Sequence, residues 1–344
     1  MTKIEWCDET INPIIGCSAT PISPACEHCY AARMAYRLGH GGLLPPGETR
    51  EAYKRVIDLK TRYWSGLTAW LPSVFLGPMR RKKPTTYFVG SMADMALGES
   101  IRVANSTVNI PQHTYLILTK RPGPWLTPFA ALENVWIGAS ASNQADLDRV
   151  LRDLLRYGSP RVFLSLEPLL GPVTIGPISS GKHKHEFSSQ IPMHDPLSGL
   201  TGYPGSMIKT DRRLRAVIVG GQTGPGAQPM HPDWVRHIRD DCAAAGVSFF
   251  FKGWGEWSPS GTLQYTLSGT AGTLSKWTVI ESTVRKEEGT QVYHAEHGDE
   301  TFTIMRRVGK SRAGRMLDGR THDDLPWPVR VHPVNPVPKK DPRP

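Results

Sequence analysis

The chain has 344 residues, 39% of them hydrophobic, and no run reaches the ~20 apolar residues of a membrane-spanning helix, which excludes a helical membrane protein. Nothing at the N-terminus resembles a targeting segment and five cysteines are too few for a disulfide scaffold, so a cytoplasmic protein with no membrane partner is expected, either one large α/β domain with additions or two ordinary domains. Lys plus Arg number 41 against 31 Asp plus Glu, a net charge of +10 that favours anionic partners.

The first feature along the chain is a run holding Cys17, Cys26 and Cys29, while the remainder contains only Cys7 and Cys242. Thiolates are soft, charged ligands that suit iron-sulfur clusters, zinc or Cu(I), and the two-residue gap between Cys26 and Cys29 lets both sulfurs reach one centre. Three ligands rather than four leave a position open for substrate or cofactor. A structural zinc site is the competing reading, with Cys7 or His28 as fourth ligand, although a second Cys-x-x-Cys or a His pair at zinc-finger spacing is missing.

Short apolar runs rich in Val, Ile, Phe and Tyr follow at intervals that suit repeated β-α units. They are Thr86–Gly90, Thr114–Leu118, Val135–Gly138, Arg161–Ser165, Ala216–Gly220 and Val247–Phe251. Near-continuous apolar runs fit parallel strands covered on both faces, and the gaps are long enough for crossovers. Helices are predicted over Gln144–Tyr157, after an Asn143 cap, and over Pro232–Ala245, ending at Gly246. The residues after the strands are small, polar or charged, as in Ser91–Asp94, Thr119–Pro122, Ser140–Ser142, Leu166–Pro168 and Gly221–Gly224. At the carboxyl ends of parallel strands such residues build an active-site mouth, so one shared site is expected there.

From about Pro177 to Arg213 the chain is rich in Gly, Ser, Pro and His without periodicity and reads as a long insertion, with His183, His185 and His194 in a solvated loop. Beyond Trp257, Gly, Thr and Ser alternate with short β-like stretches such as Thr301–Ile304, and a Pro-rich end begins at Pro326. The expected organisation is a main domain over 1–258, a small β-rich extension over 259–325 and a flexible basic tail over 326–344. Ten basic residues stand against four acidic ones between Arg306 and Pro344, so much of the excess charge lies there, where it suits a phosphate backbone as well as a solvated face.

Several motifs together carry a family resemblance. They are Ile4-Glu5-Trp6, Asn12-Pro13, the three-cysteine run ending Cys29-Tyr30-Ala31, Val89-Gly90-Ser91-Met92-Ala93-Asp94, Leu118-Thr119-Lys120-Arg121-Pro122, Ser165-Leu166-Glu167-Pro168-Leu169, Gly220-Gly221, Phe250-Phe251-Lys252 and Trp254-Gly255. With these the chain resembles the phage-associated family of radical-SAM-like iron-sulfur proteins, a phage domain of unknown function. The resemblance runs from about residue 2 to 258 and returns at 312–320.

The resemblance implies an α/β fold, a partial (β/α) TIM-like barrel of the radical SAM type with a C-terminal extension. It also implies a 4Fe-4S cluster held by Cys17, Cys26 and Cys29, S-adenosylmethionine on the fourth iron, and a flavodoxin- or ferredoxin-like reductant protein. Reductive cleavage of that cofactor gives a radical that abstracts hydrogen from substrate. The eight-residue gap between Cys17 and Cys26 is longer than the usual spacing. His28 stands where an aromatic residue lies near the adenine, and Gly90-Ser91-Met92 replaces a Gly-Gly-Glu-like motif, leaving backbone at Ser91 to hold the amino group. Glu167, after a buried strand, is the candidate ribose or amino-group ligand, and Gly220 and Gly221 are positions where backbone can approach a ligand closely. Lys120, Arg121 and Lys252 also follow strands and suit phosphate or the cofactor carboxylate, and Trp254 and Trp257 suit base stacking. With the charge, this makes nucleic acid or a nucleotide the expected substrate. Two other readings stand beside it: a zinc-stabilised nucleic-acid-binding module without catalysis, and an iron-sulfur protein that transfers electrons or senses redox state.

Overall fold

The computed structural model describes residues 4–98, 100–108, 110–158, 160–179, 193–203, 206–264, 290–294 and 301–329. Its centre is a seven-stranded sheet of β1 (Glu9–Ile11), β2 (Thr86–Val89), β3 (Thr114–Thr119), β4 (Val135–Ser140), β5 (Val162–Leu166), β6 (Leu214–Gly220) and β7 (Ser248–Gly253). Every neighbouring pair is parallel and spatial order equals chain order. Parallel connections are right-handed, so a sheet wound in one direction sends its crossovers to one face. The other face must then curl inward, and the sheet is a half-barrel.

Alternation along the strands produces two distinct cores. Tyr87, Tyr115, Ile137, Leu164, Val217 and Phe251 face the covering elements. Their neighbours Phe88, Leu116, Phe163, Ala216, Ile218 and Phe250 face the barrel interior. Because both faces are buried, each strand reads as an unbroken apolar run. Gly138 on β4 is inward-facing for a steric reason, since a Cβ there would lie 2.4 Å from the Phe163 ring.

The longer helices are α1 (Tyr30–His40), α2 (Glu48–Arg55), α3 (Ser100–Val108), α4 (Gln144–Tyr157) and α5 (Pro232–Ala245). α4 and α5 occupy the expected ranges because their ends are chemically marked. Asn143 Oδ1 accepts from Asp146 N at 2.9 Å, and Gly246 closes α5 in the left-handed region at φ 64°.

Between β5 and β6 the covering helix is replaced by the insertion. Its described part is an antiparallel sheet of Ile178–Ser179, Met193–His194, Leu200–Tyr203 and Ser206–Lys209. His194 is therefore buried rather than solvated, because strand pairing encloses it. His183 and His185 lie outside the described residues. After β7 come β8 (Trp257–Gln264), β9 (Thr290–His294) and β10 (Thr301–Arg307), an antiparallel sheet with β10 in the middle.

The chain then returns to the barrel. Phe251 N donates to His322 O at 2.9 Å, and Phe250 bridges Asp323 in antiparallel fashion, so this segment covers the free edge of β7. Trp327 is 3% exposed and enters the interior core. Its ring lies 5.0 Å from Phe163 and 5.1 Å from Trp136, and its indole N–H donates to Trp6 O at 3.0 Å. Thr86 Oγ1 at the start of β2 donates to Pro328 O. Residues 322–328 thus form a strap from β7 to β2 across the open side of the half-barrel. Residues 326–328, in the stretch expected to be a flexible tail, are in this strap, and 330–344 lie outside the described residues. Among the described residues no helix is long and apolar enough to cross a membrane.

Candidate active site

The carboxyl ends of the strands open into one cavity of about 2050 Å³. Cys17, Cys26 and Cys29 line it together with Ser91, Lys120, Arg121, Glu167, Gly220, Gly221, Lys252 and His28, so the expected site residues converge on a single mouth.

The cysteine run is held there by contacts from several strands. Gly16 N donates to Met92 O at 3.0 Å, hanging the run beside the end of β2. Asn12 Oδ1 accepts from Ser91 Oγ and Met92 N, each at 3.0 Å. Pro24–Cys26 is a short 3-10 turn capped by Ser23, and Cys29 N donates to Cys26 O at 3.2 Å. Cys29 immediately precedes α1 and so stands at the positive end of its dipole. Tyr30 Oη donates to Ser91 O at 2.9 Å, tying α1 to β2.

The long gap between Cys17 and Cys26 is anchored to α4. Ser23 Oγ and Ser142 Oγ both donate to Asp146 Oδ2, at 2.5 and 2.6 Å. Arg149 pairs with Asp146 Oδ1 at 2.8 Å and also donates to Lys120 O at 2.7 Å and Ile22 O at 3.5 Å. Burial alone would push the Asp146 carboxyl upward, but the Ser142, Ser23 and Arg149 hydrogen bonds outweigh it and hold the carboxyl below its ordinary range.

Two ion pairs cross the mouth. Asp94 accepts from Thr119 Oγ1 at 2.6 Å, Lys120 N at 3.1 Å and Arg121 Nη1 at 3.0 Å, so Arg121 is already engaged. Glu167 Oε1 lies 2.8 Å from Lys252 Nζ, and Glu167 Oε2 accepts from Ser165 Oγ at 3.0 Å. Burial would lower the Lys252 pKa, but the charge and hydrogen bond of Glu167, with Glu5 beyond, outweigh it and raise it, keeping the ammonium charged at neutral pH. A Cβ on Gly220 would come within 3.0 Å of Glu167 Oε1. One on Gly221 would come within 2.1 Å of Trp254 O, so Gly221 serves a backbone crossing.

The thiols differ. Cys17 is pushed up, first by burial and then by Asp94, with Arg121 opposing, so it is a neutral thiol in the free protein. Tyr63, which lines the same cavity, is also raised, first by burial and then by the charges of Cys29, Cys26 and Cys17. Cys7 lies in the interior core and Cys242 on α5, both fully buried and pushed up to about 12 by desolvation. A single zinc ion with ~2.3 Å bonds needs its sulfurs within about 4 Å of one another. Among the described residues no three His, Cys, Asp or Glu side chains form a group that could hold one ion.

Trp254 and Trp257 are corrected from base-stacking candidates to packing residues. They are 3% and 7% exposed, and their indole N–H groups are spent on Met316 O at 2.9 Å and Ala227 O at 2.7 Å. Residues that sequence reasoning missed include Tyr63 and Arg33, which carry no motif, and Asp146 and Arg149, which meet Ser23, Lys120 and Ile22 from far along the chain.

No curated protein and no solved structure matches this chain. Residues 1–326 match the family described as "Protein of unknown function (DUF5131)", and the chain belongs to that family.

Proposed function

We propose that this chain is a radical SAM enzyme, with Cys17, Cys26 and Cys29 as ligands of a 4Fe-4S cluster and S-adenosylmethionine bound beside it. The observation that carries the reading is the meeting of three free thiols with the Glu167–Lys252 pair in one cavity at the carboxyl mouth of an all-parallel half-barrel. When bound, the cluster and its cofactor supply one-electron reductive cleavage of a sulfonium and hence hydrogen abstraction.

The chain's own residues prepare the site. Asp146 holds the cysteine loop to α4, and Tyr30 and Gly16 hold its two ends to β2. Cys17 gives up a proton on ligation, so loading releases acid. Glu167 offers a carboxylate oxygen to a hydroxyl or ammonium group, with Gly220 keeping space beside it. Lys252, fixed by Glu167, has further N–H donors for a carboxylate or phosphate. Phe88 and Phe250 exclude water from the interior wall. Electrons would come from a flavodoxin- or ferredoxin-like reductant.

Anaerobic reconstitution with iron and sulfide should give a brown protein that forms 5′-deoxyadenosine from S-adenosylmethionine and dithionite. A colourless protein with stoichiometric zinc would replace this reading with the zinc module. A brown protein that leaves the cofactor intact would replace it with an electron carrier.

A further inference from the structure

The cavity is larger than one cofactor requires, and part of its wall is unused by the reading above. Sites that take one small ligand measure roughly 300–1,000 Å³, against about 2050 Å³ here. The unused wall has two sides. On α1 it presents Arg33, Met34 and the ring of Tyr30, of which only the hydroxyl is engaged, by Ser91 O, and on the segment after β10 it presents Lys310, Arg312 and Met316. Tyr30 is 53% exposed and Met316 50%, unusual for large apolar side chains lining a cavity.

The two sides are joined through Gly224. A Cβ there would lie 3.1 Å from Arg33 Nη2. Its carbonyl accepts from Arg307 Nη2 at 3.1 Å, and its N–H donates to Glu256 Oε1 at 2.9 Å. The Glu256 carbonyl in turn accepts from Val308 N and Gly309 N, each at 3.0 Å, immediately before Lys310. Arg33 and Arg307 thus meet at Gly224, beside the cavity wall that carries Lys310 and Arg312, and the Glu256 carboxylate between them is engaged by the Gly224 N–H. Arg33, Arg307 and Arg312 each give an N–H to a backbone carbonyl. Such a bond fixes a guanidinium without neutralising it and leaves its other donors available.

Four cations beside exposed Tyr and Met side chains match a ligand that carries both phosphates and flat apolar faces. An inorganic anion would use the cations and leave the apolar groups wet. A duplex keeps its bases stacked inside and cannot offer one to an aromatic ring, whereas an unpaired strand can. We infer that these cations hold the phosphate backbone of a single nucleic-acid strand, with Tyr30 as a stacking platform, and deliver a base or sugar to the mouth. What is done to the strand rests on the proposed radical chemistry, but the binding itself does not.

The test is fluorescence anisotropy of the full chain with a labelled strand of about 12 nucleotides, as DNA and as RNA, and with the matching duplex, over about 50–200 mM salt. Four phosphate contacts on a single strand should give a log–log slope of about −3. The double variant Lys310→Ala/Arg312→Ala, at two exposed positions, should roughly halve that slope. Tyr30→Leu should weaken binding severalfold at unchanged slope. Absence of salt-dependent strand binding, equal affinity for the duplex, or an unchanged slope in a double variant that melts like the parent would each overturn the inference. Cys26→Ala separates the two proposals. If it binds the strand as the parent does while the parent forms no 5′-deoxyadenosine, the strand site stands and the radical reading falls. If the parent forms 5′-deoxyadenosine but binds no strand, the strand site falls.

Discussion

Ser23 Oγ donates to Asp146 Oδ2 at 2.5 Å across 123 positions of sequence. That bond joins the middle of the cysteine loop to the first turn of α4, and it makes the loop's length intelligible, since the chain must reach sideways to the fourth strand before returning to Cys26. Asp146→Ala would strand two serine hydroxyls and Arg149, at a cost of about 2–3 kcal/mol. Urea unfolding checks this, with the exposed neighbour Asp148→Ala within about 0.5 kcal/mol of the parent. Iron uptake per chain should also fall in Asp146→Ala, which a purely global loss of stability would not cause at a temperature where the variant stays folded.

Replacing Cys17, Cys26 or Cys29 singly by Ala should abolish iron and sulfide incorporation. Cys7→Ala and Cys242→Ala should retain both, because those thiols are buried away from the cavity and pushed up to about 12. Metal and sulfide analysis after reconstitution decides it. If Cys7→Ala loses iron as completely as Cys26→Ala, the site has four cysteine ligands and no open iron.

The strap should contribute substantially to stability. Trp327→Ala empties a space between Trp6, Trp136 and Phe163 and leaves the Trp6 carbonyl unpaired, at about 3–5 kcal/mol. Denaturant titration would contradict the strap's role if the cost were below about 1 kcal/mol.

Asp318 gives a pH signature. Hydrogen bonds from Arg236 foremost, and from Arg239, hold its carboxyl down at about 2, against ~3.9 for an unperturbed Asp. A depressed folded value means that its stabilisation is fully present above the unfolded value and fades as pH falls from about 4 towards 2. Asp318→Asn keeps a residue that tolerates the φ of 51° here. The melting-temperature gap between parent and variant should therefore be constant above about pH 5 and close as the pH approaches about 2. A gap that persists at the acid end would show that charge is not its source.

The six apolar strands, α4 and α5 were legible in the sequence because their determinants are local: two buried faces make a continuous apolar run, and Asn143 and Gly246 mark helix ends by their own chemistry. The cysteine trio and the polar strand ends were legible for the same reason, as each needs only a few adjacent residues. The tertiary structure alone decided what depends on distant partners. β1, three residues long, exists because β2 offers it a parallel edge. Trp254 and Trp257 are packing residues because their indoles find carbonyls 62 and 30 positions away. Arg121 is committed to Asp94 and Lys252 to Glu167, pairings that no spacing rule encodes. Residues 326–328 of the strap look like the start of a Pro-rich tail until the half-barrel presents an open side, and the physical reason is that burial and pairing energies belong to contacts, which a linear pattern records only when both partners are neighbours in the chain.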